Sequence, residues 1–216
     1  MELSEIPVTI GIIALNLLIS FIGFNNTNFT NKLIMWPYGV KRNKEYYRFL
    51  SSGFLHADMM HLLFNMFTFF FFGANIENAF TVLFPFGKIW YIVLYLSALV
   101  VSDIPSYLKN QDNSSSRSLG ASGAVSAVVF AAIVFSPWAQ IRIYGFIKMS
   151  AVVFAILYVV YCIYASKKAN DNVNHDAHLW GSVYGLIFTI ALVAILRPDI
   201  FPGIIEELKN PSLFGR

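Results

Sequence analysis

A hydroxyl, an imidazole and an amide stand near the starts of three separate apolar runs. Ser122 lies in Ser118-Leu119-Gly120-Ala121-Ser122-Gly123-Ala124, which follows the polar stretch Asn110 to Arg117 and opens an apolar run reaching Trp138. His178 lies in His175-Asp176-Ala177-His178-Leu179-Trp180-Gly181, four residues ahead of Ser182 and seven ahead of Gly185. His61 and Asn65 are four apart, so they share one face of a helix. A serine hydroxyl is a weak nucleophile until a base takes its proton, and imidazole titrates where it can do so. The free N–H groups of a first helical turn, here near Ala121 and Ser122, can hold an oxyanion. The Asn65 amide and the His61 ring are further candidate donors. Together these residue types suit acyl transfer by a Ser122–His178 dyad. Asp176 stands two residues from His178, which on a helix turns it to another face and leaves the dyad without an orienting acid.

The elements that must position these groups are membrane helices. The chain has 216 residues, of which 57% are apolar and 12% charged, with mean hydropathy +0.61. A soluble domain of this size carries about 25% charge. The apolar runs are unbroken, unlike the alternating strands of a membrane barrel. The expected fold is therefore an all-α membrane protein of one domain, 1–216. Its spans fall near 7–24, 57–75, 84–104, 120–136, 147–165 and 177–196, each about long enough for a bilayer core. The first run lacks a basic leader and a small-residue cleavage site and reads as a retained span. Cys162, the lone cysteine, reads as packing. A net charge of +3 with no basic block gives no sign of nucleic acid as a partner.

Alternate spans enter from the same side, so spans 2, 4 and 6 bring their polar residues into one layer. At about 1.5 Å per residue, Ser122 and His178 start at similar depth and Asn65 lies about two turns deep. All four histidines, His56, His61, His175 and His178, fall at that end. Gly120, Gly123, Gly181 and Gly185 would let spans 4 and 6 approach closely. Other chemistries fit less well. Gly120-Ala121-Ser122-Gly123-Ala124 lacks the second glycine and the preceding strand of a hydrolase elbow. His56 and His61, five apart with no glutamate between, do not make a zinc pair, so no metal is expected. No internal repeat or broken midplane helix suggests a transporter. The loop from Asn25 to Leu55 mixes aromatic and basic residues, which suits the lipid headgroup zone. The polar stretch 166–175 reads as a cap between spans 5 and 6, and Tyr91, Tyr95 and Ser97 of span 3 as packing.

Gly120-Ala121-Ser122-Gly123, the series His56…His61…Asn65 and Ala177-His178-x-x-Gly181-x-x-x-Gly185 together resemble the rhomboid intramembrane serine proteases, over roughly residues 45 to 190. The resemblance implies a six-helix rhomboid-like bundle with Ser122 as nucleophile and His178 as base. It implies an oxyanion hole from His61, Asn65 and backbone N–H groups near Ser122. His56 matches a further histidine of the family, Tyr47-Arg48 its Trp-Arg pair in the first loop, and Glu77 an acidic residue after span 2. The implied substrates are transmembrane segments of other proteins, cut at small residues with no cofactor or ATP. Membrane lipids are the remaining implied partner, and the oligomeric state is left open. The alternative is an inactive relative that binds transmembrane clients. Relatives often carry tyrosine four residues after the serine, stacked on the imidazole. Here that position is Ser126, so an aromatic of span 5 or 6 would have to hold the His178 ring. The family's orientation puts the amino terminus in the cytoplasm and the site at the outer face of the plasma (inner) membrane. The loop charges run against it. Nine cations (Lys32, Lys41, Arg42, Lys44, Arg48, Lys109, Arg117, Lys167 and Lys168) would lie outside. Six (Lys88, Arg142, Lys148, Arg197, Lys209 and Arg216) would lie inside.

Overall fold

The computed structural model of the chain describes residues 2–143, 147–168, 171 and 173–212. Of the expected cap 166–175, residues 169, 170 and 172 lie outside the described residues. Among the described residues five helices are long and apolar enough to cross a membrane: α1 (Pro7–Asn25), α5 (Met59–Leu83), α6 (Gly87–Asn110), α8 (Ala151–Lys168) and α9 (His175–Leu196). A sixth apolar helix, α7 (Ser122–Phe135), is shorter. The short helices α2 (Thr27–Leu33), α3 (Pro37–Asn43) and α4 (Arg48–Ser51) fill the first loop, and α10 (Phe201–Lys209) follows α9. The described residues form an all-α membrane bundle with one two-stranded sheet at its side.

α7 is the central helix. From Gly123 to Val134 every residue but Ala132 is buried, against α5, α6, α8 and α9. Its small residues make that possible. A Cβ on Gly181 would fall on the Gly123 carbonyl, and one on Gly185 on the Ala127 carbonyl, so α7 and α9 meet backbone to backbone. At 14 residues, α7 is roughly 21 Å long, well short of a bilayer core of about 30 Å. The loop from Gln111 to Ala121 joins α6 to its amino end.

Polar groups fasten the other helices. Glu77 is fully buried in α5 and accepts from the Val8 and Thr9 N–H groups, at 3.0 and 2.7 Å, in the first turn of α1. The two peptide N–H groups are unpaired within their own helix, and a carboxylate satisfies both. Tyr91 and Tyr95 of α6 bond Thr9 and Asn16 of α1 at 3.0 and 3.2 Å.

Three boundaries differ most from the expected spans, and one is the end of span 3, whose helix runs to Asn110 rather than 104. Span 2 does not stop near residue 75 but runs to Leu83, so Glu77 lies inside a helix rather than after one. The polar group that looked like a terminator is neutralised by a neighbouring helix end. Residues 147–150 are not the start of span 5. They form β2 (Ile147–Ser150), antiparallel to β1 (Gln140–Ile143), with Arg142 opposite Lys148 and Ile141 opposite Met149. Pro137 breaks the chain after α7, and β-branched residues alternating with cations suit a strand pair better than a buried helical turn.

Candidate active site

Ser122 is the first residue of α7 and follows a tight approach. Gly120 has φ +126°, and a Cβ there would lie 2.8 Å from His61 Cε1, so only glycine fits the backbone and the space beside the ring. The approach is anchored to the first loop. Met35 and Ser118 exchange backbone hydrogen bonds at 3.0 and 3.1 Å, and the Gly120 N–H donates to the Ser52 carbonyl at 3.1 Å. Arg48 organises that loop. It is buried, pairs with Glu45 at 2.6 Å, donates to the Asn31 and Ile34 carbonyls, and lies against the Trp36 and Tyr47 rings. Its bond to the Ile34 carbonyl lies next to Met35, the residue paired with Ser118.

His178 sits in the first turn of α9. Asn174 caps this helix: its side-chain oxygen accepts from the Ala177 N–H at 3.1 Å and from the Ser106 hydroxyl of α6 at 2.7 Å. Its amide donates to Asp103 at 3.3 Å. The cap thus ties α9 to α6 just before the imidazole. His178 Nε2 lies 2.7 Å from Ser122 Oγ, the geometry of a base ready to accept the hydroxyl proton.

The ring of His178 is held by Tyr158 of α8, nearly parallel at 21° with centroids 6.3 Å apart. Ser126 occupies the position four residues after Ser122, and its hydroxyl bonds the Tyr158 hydroxyl at 2.9 Å. A tyrosine is thus supplied from a different helix and tethered by the small serine in its place. Span 5 did contain this tyrosine in the sequence, but nothing in the spacing distinguished it from Tyr161 or Tyr164. Asn174, Ser106 and Asp103 were also passed over, because each looks like an ordinary polar end of a span. Asp176 turns away and pairs with Lys109 at 3.2 Å.

His61, Asn65, Ser122, Ser126, Tyr158 and His178 all line one cavity of about 530 Å³. Its wall runs from Asp58, Val173 and Asn174 at the loop end down to Phe130 and Phe154. A second hollow, of about 480 Å³, shares His61, Leu119 and Asn174 with the first and is bordered by Arg117, Asp171 and Asp176. The two hollows meet at His61, Leu119 and Asn174, which opens the Ser122 cavity toward the polar residues Arg117, Asp171 and Asp176. The Asn65 amide donates to the His61 carbonyl at 3.1 Å, within its own helix, and can be turned to an incoming oxyanion. The unpaired N–H groups at the start of α7 precede the first helical bond, from Val125 to the Ala121 carbonyl.

His56 lies behind this layer. It donates from Nδ1 to Ser20 Oγ at 2.9 Å, since that hydroxyl itself donates to the Phe54 carbonyl, and its ring meets His61 edge to face at 5.0 Å. Burial first, and the neighbouring His61 second, push its pKa down to about 3. Its ring is thus uncharged near neutral pH and packs against His61. Gly120 and Gly123 have different duties from those expected. Gly120 faces His61 rather than α9, and Gly123 makes room for Ser102 of α6, with the Ala177 carbonyl of α9 next at 3.4 Å.

A family model described as the Rhomboid domain matches residues 43–195. The chain is 28% identical over 180 residues to Rhomboid protease GlpG of Haemophilus influenzae, covering 83% of this chain and 69% of that one. It is 31% identical over 156 residues to Rhomboid-related protein 1 of Caenorhabditis elegans, covering 70% and 41%. It is 28% identical over 149 residues to RHOMBOID-like protein 12, mitochondrial, of Arabidopsis thaliana, covering 64% and 44%. The match thus spans less than half the length of the plant and nematode relatives.

Proposed function

The chain belongs to the rhomboid family, and on that premise we propose that it is a serine endopeptidase, one domain over 1–216, that cleaves transmembrane segments of other membrane proteins. The observation that carries this reading is the 2.7 Å approach of His178 Nε2 to Ser122 Oγ inside a cavity of about 530 Å³. Ser122 Oγ attacks the scissile carbonyl while His178 Nε2 takes its proton. The oxyanion is received by the N–H groups of Ala121 and Ser122, the Asn65 amide and the His61 ring. Collapse of the intermediate expels the amine, which takes the proton from His178 and leaves an acyl ester on Ser122. A water, deprotonated by the same imidazole, releases the acid. A substrate helix must unwind locally to enter, because a helical backbone hides its carbonyls. The chain is an integral membrane protein, here placed in the plasma membrane with its amino terminus in the cytoplasm and the cavity opening outward.

The test is purified protein in detergent with a single-span substrate, beside Ser122→Ala and His178→Ala. Each variant should lose cleavage by at least about a thousandfold, and a fluorophosphonate should label Ser122 in the parent alone. Alanine variants that cut at the parent rate would remove the dyad. A folded parent that binds the substrate but never cuts or labels would favour the inactive, client-binding alternative.

A further inference from the structure

Behind the His178 ring stand two side chains that the acyl-transfer reading does not use. Cys162 of α8 and His175 of α9 each offer a ligand atom, and with one from His178 all three lie within 4.8 Å of one another. Cys162 is fully buried and His175 is 4% exposed. His175 carries two further marks of a metal ligand. Its Nε2 faces both oxygens of Asp171 at 3.1 Å. A carboxylate can only accept, so that nitrogen carries a ring proton, and in the neutral ring Nδ1 holds a lone pair. His175 Nδ1 is buried and has no hydrogen-bond partner among the described residues. A buried acceptor of this kind is normally satisfied. A histidine whose outer nitrogen is fixed by a carboxylate, with the inner one free, is the usual arrangement around bound zinc.

We propose that Cys162, His175 and His178 form a site for a thiophilic divalent cation of the zinc class, and that its occupancy switches the Ser122–His178 dyad off. One thiolate and two imidazoles select borderline-soft ions over the oxygen-seeking Mg²⁺ and Ca²⁺. Zinc bonds of about 2.0–2.3 Å require the three donors to draw in by roughly 1 Å, within reach of side-chain rotation. Binding forms three metal–ligand bonds and releases one proton, from the Cys162 thiol, to water; the fourth position is left to a water molecule. The consequence for the proposed catalysis follows from the single lone pair of a neutral imidazole. A metal on His178 Nδ1 drives the ring proton to Nε2, which then donates toward Ser122 Oγ instead of accepting from it. A metal on Nε2 displaces Ser122 outright. Either way the base is lost.

The inhibitory consequence rests on the protease reading; the binding site does not, so the two are tested separately. Whole protein in detergent is titrated with Co²⁺, whose thiolate charge-transfer band reports a cobalt–sulfur bond, and with Zn²⁺ in competition. The expected result is one ion per chain, a thiolate band that Cys162→Ser abolishes, and Zn²⁺ affinity lowered by roughly ten- to a hundredfold in Asp171→Asn, a change at an exposed carboxylate. Absence of the band, or equal Zn²⁺ affinity in the parent and both variants, overturns the site even if the protein cleaves well. Cleavage, each protein scaled to its own metal-free rate, should fall with Zn²⁺ in the parent and resist it in Cys162→Ser, with Mg²⁺ inert in both. Stoichiometric Zn²⁺ that leaves the parent rate unchanged overturns the switch. A parent that never cleaves but shows the cobalt–sulfur band separates failure of the protease reading from failure of this one.

Discussion

At the scale of single residues, the imidazole of His178 is confined on two sides. Tyr158 lies along one face, and the His175 ring meets it edge-on at 6.0 Å. The proposed dyad has no orienting acid among the described residues, and this packing holds Nε2 toward the serine. The Tyr158 ring and its hydroxyl do different jobs, so Tyr158→Phe should stay within a few-fold of the parent rate and Tyr158→Ala should fall about tenfold or more. If both variants slow equally, the tether to Ser126 is the active feature and stacking is not. His56 makes a second, thermodynamic prediction. Folded, it takes up a proton only near pH 3, whereas in the unfolded chain it does so near the ordinary 6.5. Between these values the unfolded state binds more protons, so stability present above pH 6.5 is lost as pH falls toward 3. The thermal midpoint in detergent should drop on acidification, and drop less in His56→Gln. An equal drop in the two would assign the effect to other groups.

At the scale of elements, the decisive contact is between α7 and α9. No apolar side chain separates them; glycines let each helix touch the other's carbonyls. In a bilayer, where burial of apolar surface gives helices no reason to associate, close van der Waals packing takes over that role. Adding a methyl at Gly181 or Gly185 must push the helices apart, and with them His178 from Ser122. Gly181→Ala and Gly185→Ala should each destabilise the bundle by about 1–3 kcal/mol, seen as a lower unfolding midpoint. Gly181→Ala, one turn from His178, should also lower kcat more than it raises KM. Full activity and stability in both variants would mean that α9 can shift without disturbing the dyad. The same logic explains why span 2 reads too short from its sequence. Glu77 and Asn78 look like a helix end until the α1 N–H groups that bind Glu77 are in place.

At the scale of the whole molecule, the site end and the β1–β2 end face opposite ways. Asn113 is exposed in the polar stretch whose Asn110, Ser116 and Arg117 border the second hollow. Beyond the far end of α9, α10 receives a hydrogen bond from Trp138 to the Glu207 carbonyl at 2.8 Å. The proposed orientation gives a clean expectation. In intact cells, with Cys162→Ser as background, Asn113→Cys should react with a membrane-impermeant maleimide, and Lys209→Cys only after permeabilisation. The reverse pattern would invert the topology, as the count of loop cations suggests.

The family, the all-α membrane class and the presence of a serine, histidines and an asparagine at the starts of alternate spans were legible in the sequence. Hydropathy and fixed motif spacing survive in one dimension, because each helix satisfies its own backbone. What one dimension does not carry is the rotation of each helix about its axis and the depth at which it starts. Those follow from where backbones can touch. Only the tertiary structure therefore decided that Tyr158, among three tyrosines of α8, reaches His178, that Asn174 and Ser106 lock α9 to α6, and that Glu77 belongs to α1. It also placed Cys162, a residue that reads as plain packing, beside His175 and His178. Each of these pairings joins residues on different helices, set by the shape of small-residue contacts rather than by any repeat along the chain.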